Sequence, residues 1–318
     1  VIPMMYKMFD EILVNARDNI SRGKTTHIEV IMDLKGFTIS NNGKPIPISK
    51  NKEEKMWNPT LAFGYLRTSN NYDDSEERLT GGRNGYGAKL VSVFSTKFMV
   101  KVGDPNNKKL FEQSWMDNMS VAGKEKVKKY NKKSGFTEVT FYPDLEKFGI
   151  KSLGDHYGLF AKRCVDICGS TKKLKVYFNG KKIEVGDFKS YINCYYPDTN
   201  FIIDDKNPRW NVAAGFIPDK GDQYISNVNG INTYLGGTHI NHVVDNIVNT
   251  LKNDYILKKN KGLRVTNNNI KQHLVFFVNA VIENPTFSSQ TKNTLTSKVS
   301  KFGSRYELSK VFITKFGF

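Results

Sequence analysis

A glycine-rich loop carries a clear chemical signal in this sequence. Glycines stand at positions 82, 85 and 87, and Lys89 follows in the predicted first turn of a short helix that ends near Ser95. Glycines let a backbone approach phosphate oxygens closely, and the free N–H groups at a helix N-terminus favour anions. The loop matches neither Gly-x-x-x-x-Gly-Lys-Ser/Thr nor a Gly-x-Gly-x-x-Gly directly after a strand. The spacing alone therefore leaves phosphate binding open.

A second group of polar side chains lies on one face of the first predicted helix, which runs from Tyr6 to Ser21. Its apolar residues recur at helical spacing. At about 100° per residue, four polar side chains fall together on another face. They are carboxylates and carboxamides: Glu11, Asn15, Asp18 and Asn19. Alternatively, this face is an ordinary solvent-exposed helix surface without a chemical role.

The elements that must position these residues are a mixture of strands and helices. Alternation of apolar and polar residues predicts strands at 28–34, 37–39, 98–102, 111–115, 137–142 and 174–178. The polar stretch 64–87 is predicted as a long loop of the kind that serves as a lid or ligand loop. The stretch 124–133, which carries six lysines, is predicted as a solvated loop.

A composition break near 197–209 predicts a domain boundary, which gives domains 1–200 and 201–318. The second domain shows strand patterns at 211–217, 223–229 and 274–282. A helix predicted from Thr238 to Leu257 connects the last two, so these strands are expected to be parallel with a right-handed crossover. We find no internal repeat.

Composition narrows the class of protein. The chain has 318 residues, is 39% hydrophobic and carries a net charge of +17, which excludes global disorder and suggests a polyanionic partner. Lysine and asparagine have A/T-rich codons, so part of the charge can reflect genome composition. The cysteines Cys164, Cys168 and Cys194 cannot form a disulfide framework, and the first two are expected to be free and buried in a reducing compartment. No apolar run is long enough to span a membrane.

Six stretches together resemble the ATPase region of eukaryotic type II DNA topoisomerases. They are 9–16 (FDEILVNA), 72–74 (YDD), 80–90 (TGGRNGYGAKL), 236–239 (GGTH), 283–285 (ENP) and 289–292 (SQTK). The resemblance implies an α+β fold: a left-handed nucleotide-binding sandwich, shared with gyrase, mismatch-repair ATPases, a heat-shock chaperone and histidine kinases. A smaller transducer domain follows it. The same resemblance implies ATP and Mg²⁺ as the groups bound.

The resemblance also implies roles for individual residues. Glu11 would be the general base that activates water, Asn15 the Mg²⁺ ligand, Asn19 a supporting residue and Asn41 the contact to adenine. The ribose and phosphates would meet Ser69, Asn70, Asn71, Gly82, Arg83, Asn84, Gly85, Tyr86, Gly87, Ala88 and Lys89. The loop with Gln290, Thr291 and Lys292 would place Lys292 on the γ-phosphate. Pro45 replaces the second glycine of the usual Gly-x-Gly after Asn41, which puts the local backbone in question.

The implied function is the motor of a nuclear type II topoisomerase, which closes as a homodimer on ATP and drives DNA strand passage. Double-stranded DNA would be bound through its phosphates, independently of sequence, by Lys258, Lys259, Lys261 and Arg264. The cleavage-core motifs of the family are not found, so the chain is expected to hydrolyse ATP without cutting DNA. Its start at Val1 also leaves no family N-terminal arm ahead of it, so weaker dimer closure is expected.

A chaperone or repair ATPase with the same nucleotide fold is the alternative function. A histidine kinase is disfavoured because no phospho-acceptor helix precedes the fold, and a pure DNA-binding module would not need Glu11.

Overall fold

The computed structural model describes residues 2–22, 25–65, 79–80, 86–218 and 223–315. These residues form two compact units that divide between Glu184 and Val185, with Leu79 assigned to the second unit. The division falls before the position predicted from composition, after residue 200. The physical reason is the helix Phe188–Asn193, whose ring of Phe188 packs edge-on against Phe277 in the sheet of the second unit.

The first unit is built on a nine-stranded sheet. Its helices are α1 (Pro3–Arg22), α2 (Asn58–Gly64), α3 (Gly87–Val93) and α4 (Tyr157–Gly169), with a 3₁₀ turn at Gly154–His156. Its strands are β1 (His27–Met32), β2 (Phe37–Asn42), β3 (Ser95–Asp104), β4 (Lys109–Met116), β5 (Val121–Ala122), β6 (Lys126–Lys129), β7 (Phe136–Pro143), β8 (Lys175–Phe178) and β9 (Lys181–Lys182). The strand order is β5-β4-β3-β7-β2-β1-β8-β9, and β6 pairs with β4. Only the β1–β8 pair is parallel among the described strands of this sheet.

Helices α1 and α4 pack against this sheet through aromatic rings. The ring centroids of Phe9 on α1 and Phe160 on α4 are 4.8 Å apart, and both rings lie within 5.0 Å of Phe37 on β2. All three side chains are buried. Because the apolar stripe of α1 is fixed in this way, the direction of its polar face is fixed too.

The second unit contains a five-stranded sheet in the order β10-β11-β14-β12-β13. Its strands are β10 (Phe201–Asp204), β11 (Trp210–Phe216), β12 (Gln223–Val228), β13 (Ile231–Asn232) and β14 (Leu274–Ala280). Its helices are α5 (Phe188–Asn193), α6 (Thr238–Thr250), α7 (Leu257–Lys259), α8 (Asn267–Lys271) and α9 (Lys310–Thr314), with a 3₁₀ turn at Val299–Lys301. Strands β12 and β14 are parallel, which confirms the pairing predicted from the helix between them. Capping boxes at Asp187 and Thr266 fix where α5 and α8 begin.

Two local predictions need correction. The lysine-rich stretch 124–133 is not entirely a loop, because β6 pairs with β4 at the edge of the sheet. Lysines protect an exposed sheet edge, so a polar composition can hide a strand there. The long helix of the second unit is also not uniform, since a π-helical segment, Leu251–Ile256, separates α6 from α7.

The prediction of free, buried cysteines is confirmed. The cysteines at 164 and 168 are free and buried on α4, whereas Cys194 is exposed. None of the described helices has the length and apolar character needed to cross a lipid bilayer. Most of the predicted loop 64–87 lies outside the described residues.

Candidate functional site

The polar residues of helix α1 differ in their exposure to solvent. The side chain of Glu11 is buried, whereas that of Asn15, one turn later, is exposed. Asn19 is half-buried and its Nδ2 donates a hydrogen bond to the backbone carbonyl of Lys44 at 2.9 Å. The helix therefore offers one enclosed carboxylate and one open carboxamide on neighbouring turns.

A buried network of charges holds Glu11. Lys7 Nζ lies 2.9 Å from Glu11 Oε1 and 3.4 Å from Asp10 Oδ2. Asp10 in turn lies 2.6 Å from Nε of the fully buried Arg163 on α4. Burial acts to lower the pKa of Lys7, but the carboxylates of Asp10 and Glu11 outweigh it and raise that pKa above its ordinary value. Lys7 is therefore a fixed positive charge beside the Glu11 carboxylate.

Lys7, Asp10 and Arg163 are not among the site residues predicted from the sequence. Lys7 and Glu11 stand four residues apart on a predicted helix, a spacing at which opposite charges meet, so that signal was available. The contact between Asp10 and Arg163 spans 153 residues, and no local pattern points to it.

The first turn of α3 lies directly against the Glu11 carboxylate. A Cβ built on Gly87 would lie 2.0 Å from Glu11 Oε2. Real Cβ atoms do not come this near another atom, so any side chain at 87 would displace the carboxylate. Gly87 at the start of α3 and Glu11 on α1 are therefore parts of one site.

Lys89 lies in the same first turn of α3 and is almost completely buried. Burial lowers its pKa to about 8, because desolvation disfavours the charged ammonium. The lysine would regain its full charge beside an anion, since an opposite charge favours the ionised form.

We expect this pKa to appear in the pH dependence of nucleotide binding. A lysine that is half-neutral near pH 8 must take up a proton to bind a phosphate, so affinity falls as pH rises through that value. The affinity for a non-hydrolysable ATP analogue should be about tenfold weaker at pH 9 than at pH 7. Calorimetric titration across this range measures it. Lys89→Met should bind more weakly at pH 7 but lose the slope, and an unchanged slope in this variant contradicts the assignment.

Asn41 is buried near the end of β2. Its Nδ2 donates to the backbone carbonyl of Asn42 at 3.0 Å. Within the described residues its Oδ1 accepts no hydrogen bond, so that oxygen could accept one from a ligand amino group.

The turn after Asn41 accommodates the unexpected proline. Pro45 is buried, and its ring lies so close to Gly135 that a Cβ there would be 2.6 Å from Pro45 Cδ. The N–H of Gly43 donates to the Gly135 carbonyl at 3.2 Å. Together with the bond from Asn19 to Lys44, these contacts give the turn a defined shape without the second glycine.

Seven of the predicted nucleotide contacts cannot be placed. Ser69, Asn70, Asn71, Gly82, Arg83, Asn84 and Gly85 lie outside the described residues. Tyr86 is half-buried immediately before α3, and Ala88 is buried in its first turn.

The loop with Gln290, Thr291 and Lys292 belongs to the second unit. Gln290 and Thr291 are exposed, whereas Lys292 is buried and has a φ of +58°. The contact between Lys292 and a γ-phosphate stays a prediction. Upstream, the Glu283 carboxylate lies 2.6 Å from Arg209 Nη2, which anchors the Glu-Asn-Pro segment to the residue just before β11.

The predicted DNA-contacting residues are all exposed. Lys258 and Lys259 end α7, and Lys261 and Arg264 follow in the loop around Gly262, which has a φ of +94°. Lys258 Nζ lies 3.1 Å from Asp254, a surface pair that contributes little to stability. A solvated basic surface and a phosphate-binding surface both fit this arrangement.

The fold and site together define a class of protein. A mixed sheet covered by α1 and α4, with a buried carboxylate on α1 against a glycine at the start of α3, is the arrangement of a nucleotide-binding ATPase domain. Residues 170–317 match the family model described as DNA gyrase B.

Solved structures and curated relatives narrow this class. The structure matches the ATPase region of Saccharomyces cerevisiae topoisomerase II with a TM-score of 0.94 and 42% identity, covering 99% of this chain and 83% of that one. It matches the ATPase and transducer domains of Balamuthia mandrillaris DNA topoisomerase II with a TM-score of 0.92 and 40% identity, covering 99% and 82%. DNA topoisomerase 2-alpha of Sus scrofa is 48% identical over 98% of this chain.

The chain belongs to the type II DNA topoisomerase family and corresponds to the ATPase region of these enzymes. It spans 21% of the length of the curated relatives from Sus scrofa and Homo sapiens. The resemblance stated from the sequence is thereby confirmed, and the alternative of a chaperone or repair ATPase is set aside.

Proposed function

We propose that this chain is the ATP-hydrolysing motor of a type II topoisomerase, in which ATP closes a dimer gate and hydrolysis reopens it. The observation that carries the proposal is Glu11, a buried carboxylate held by Lys7 at 2.9 Å against the first turn of α3. Its burial and its closeness to the phosphate-binding turn place an ion-paired carboxylate where a catalytic base is needed. The nuclear location implied by the family is part of the same proposal.

In this proposal Glu11 is the general base. Its carboxylate orients and deprotonates the water that attacks the γ-phosphate, which requires hydrogen-bond reach of that water. Lys7 forms an ion pair with the carboxylate, and Gly87 leaves room for it. Lys89 and the N–H groups of the α3 first turn bind phosphate oxygens.

Asn15 fits the part of a Mg²⁺ ligand. Its carboxamide is exposed and forms no hydrogen bond within the described residues, so its oxygen is available. No cluster of three or more His, Cys, Asp or Glu side chains that could hold a metal occurs among the described residues, so one protein oxygen would act together with the nucleotide phosphates. When bound, Mg²⁺ would neutralise charge on the β- and γ-phosphates.

The remaining roles concern adenine and the γ-phosphate. Asn41 would accept a hydrogen bond from the adenine amino group through its Oδ1, and Asn19 would support the adjoining turn. Gln290, Thr291 and Lys292 would contact the γ-phosphate, where a cation stabilises charge that develops during phosphoryl transfer. Loss of that phosphate would release the contact.

Strand passage by the parent protein tests the proposal as a whole. We expect the full-length protein to relax supercoiled DNA only with ATP and Mg²⁺. Relaxation that proceeds equally well without ATP, or no relaxation by a protein that hydrolyses ATP, contradicts the assignment to a topoisomerase motor.

We expect the basic run to bind duplex DNA through phosphates. The log of affinity should fall with the log of salt concentration, by roughly 0.9 for each phosphate neutralised. Replacing Lys258, Lys259 and Lys261 with alanine should flatten this slope and abolish stimulation of ATP hydrolysis by DNA. Basal hydrolysis should remain, because the Glu11 site is untouched.

A lysine triple variant elsewhere controls for the loss of charge alone. Lys126, Lys128 and Lys129 on β6 are exposed and remove the same charge when replaced with alanine. Filter binding over a salt series compares the two variants. If both flatten the slope equally, the residues at 258, 259 and 261 are ordinary solvated lysines.

A further inference from the structure

The loop that carries Lys292 is tied to the segment just before α6. We call residues 289–293 the Lys292 loop and residues 234–238 the brace. The N–H of Leu235 in the brace donates to the carbonyl of Asn293 in the loop at 3.1 Å. The last residue of the loop is therefore hydrogen-bonded through its backbone to the brace.

The pairing continues beyond the loop. The N–H of Leu295 donates to the Gly236 carbonyl at 3.0 Å, and the N–H of Thr238 donates to the Leu295 carbonyl at 3.2 Å. Gly237 has a φ of +134°, and a Cβ there would lie 2.3 Å from the Leu295 carbonyl oxygen. Only glycine allows the two backbones to run this close together.

Tyr234 adds a side-chain contact at the loop itself. Its hydroxyl accepts a hydrogen bond from Asn293 Nδ2 at 2.9 Å. Asn293 Oδ1 accepts one from the Thr291 hydroxyl, which lies 2.6 Å from the Ser289 hydroxyl. The Tyr234 side chain is 58% exposed, so core packing does not explain its position.

Lys292 needs such support because its own backbone is strained. It adopts the left-handed φ of +58°, and its N–H donates to the Ser289 carbonyl at 3.1 Å to close the turn. A residue with a Cβ adopts this conformation at a cost and keeps it only when its surroundings hold it there. The bonds from Asn293 to the brace restrain the residue directly after Lys292.

We propose that the brace, with Tyr234 as its positioning residue, holds the Lys292 loop in the conformation that delivers Lys292 to the γ-phosphate. The inference rests on the proposed role of Lys292. Without the hydroxyl of Tyr234, the backbone at Lys292 can relax to ordinary φ values, and the ammonium then moves away from its place.

The Tyr234→Phe variant tests the proposal because it removes one oxygen and keeps the ring. We expect kcat for ATP hydrolysis to fall about two- to tenfold, the range for loss of one neutral hydrogen bond, with a smaller change in KM and unchanged ADP affinity. In a Lys292→Ala background the same change should have no further effect. The proposal is overturned if Tyr234→Phe lowers kcat equally in the parent and in the Lys292→Ala background. It is also overturned if kcat falls in neither. Tyr157→Phe is the matched control, because Tyr157 is an exposed tyrosine whose ring lies on Phe178.

A second measurement on the whole chain does not depend on catalysis. Trypsin cleaves after lysine, so the rate of cleavage after Lys292, followed by mass spectrometry, reports how firmly the loop is held. We expect Tyr234→Phe to accelerate this cleavage and to leave cleavage after the exposed Lys258 unchanged. Equal rates of cleavage after Lys292 in the parent and the variant would overturn the proposed role of the brace. Faster cleavage in Tyr234→Phe, with full turnover in Lys292→Ala, would uphold the brace and remove Lys292 from the mechanism.

Discussion

Replacing Glu11 is expected to leave ATP binding near the parent level and to slow hydrolysis by about 10²–10⁴-fold, the usual contribution of a general base. Glu11→Gln is the sharper form of the test, because it keeps the volume beside Gly87 while removing the proton acceptor. Glu11→Ala should show the same loss of hydrolysis. Single-turnover hydrolysis at saturating ATP separates this chemical step from nucleotide binding.

The loss must be shown to come from chemistry and not from disturbed charge. Glu112→Gln serves as the matched control, because Glu112 also lies within ion-pair distance of two lysines, Lys101 at 3.7 Å and Lys128 at 3.6 Å. This control should hydrolyse ATP at the parent rate. Undiminished turnover in Glu11→Gln would remove Glu11 from the mechanism.

Replacing Lys292 with alanine is expected to slow hydrolysis by about 10²-fold, the scale seen when one group that stabilises transition-state charge is removed. ADP affinity should not change, because the ammonium is offered to the γ-phosphate alone. The variant should also lose the compaction that a non-hydrolysable ATP analogue produces relative to ADP. Small-angle scattering in solution measures this compaction.

Lys298→Ala is the control for Lys292→Ala, since Lys298 is an exposed lysine in the same stretch of the second unit. It should compact and hydrolyse as the parent does. If Lys292→Ala also compacts fully with the analogue, its role as a sensor of the γ-phosphate is wrong.

Local periodicity was sufficient to predict much of the fold. The apolar spacing within 6–21 predicted α1, and alternation predicted strands that the structure contains at β3, β4 and β7. The parallel pairing of β12 with β14 followed from the helix between them. In each case the signal and the structure it determines lie in the same short stretch of chain.

The structure departs from the local sequence pattern where contacts between distant residues decide it. The boundary between the two units depends on α5, whose Phe188 and Tyr191 pack against Phe277, far along the chain. Strand β6 exists because β4 offers it an edge, although its own lysines suggest a loop. Neither the packing of α5 against Phe277 nor the pairing of β6 with β4 can be predicted from composition alone.

The main residues of the site could be predicted from the sequence, but the contacts that position them could not. The resemblance pointed to Glu11, whereas the ion pair with Lys7 and the close approach of Gly87 became visible only in three dimensions. The strained φ of Lys292 and its support by Tyr234 have no local sequence signal either. These features depend on how separate segments meet.

Hydrolysis of ATP by this chain is tested most directly by the steady-state release of phosphate with Mg²⁺, measured with and without duplex DNA. We expect hydrolysis without DNA and faster hydrolysis with DNA. The variant in which Lys258, Lys259 and Lys261 are replaced with alanine should keep the basal rate and lose the stimulation by DNA. A folded chain that binds ATP and releases no phosphate above background, in either condition, would show that it is not an ATP-hydrolysing motor.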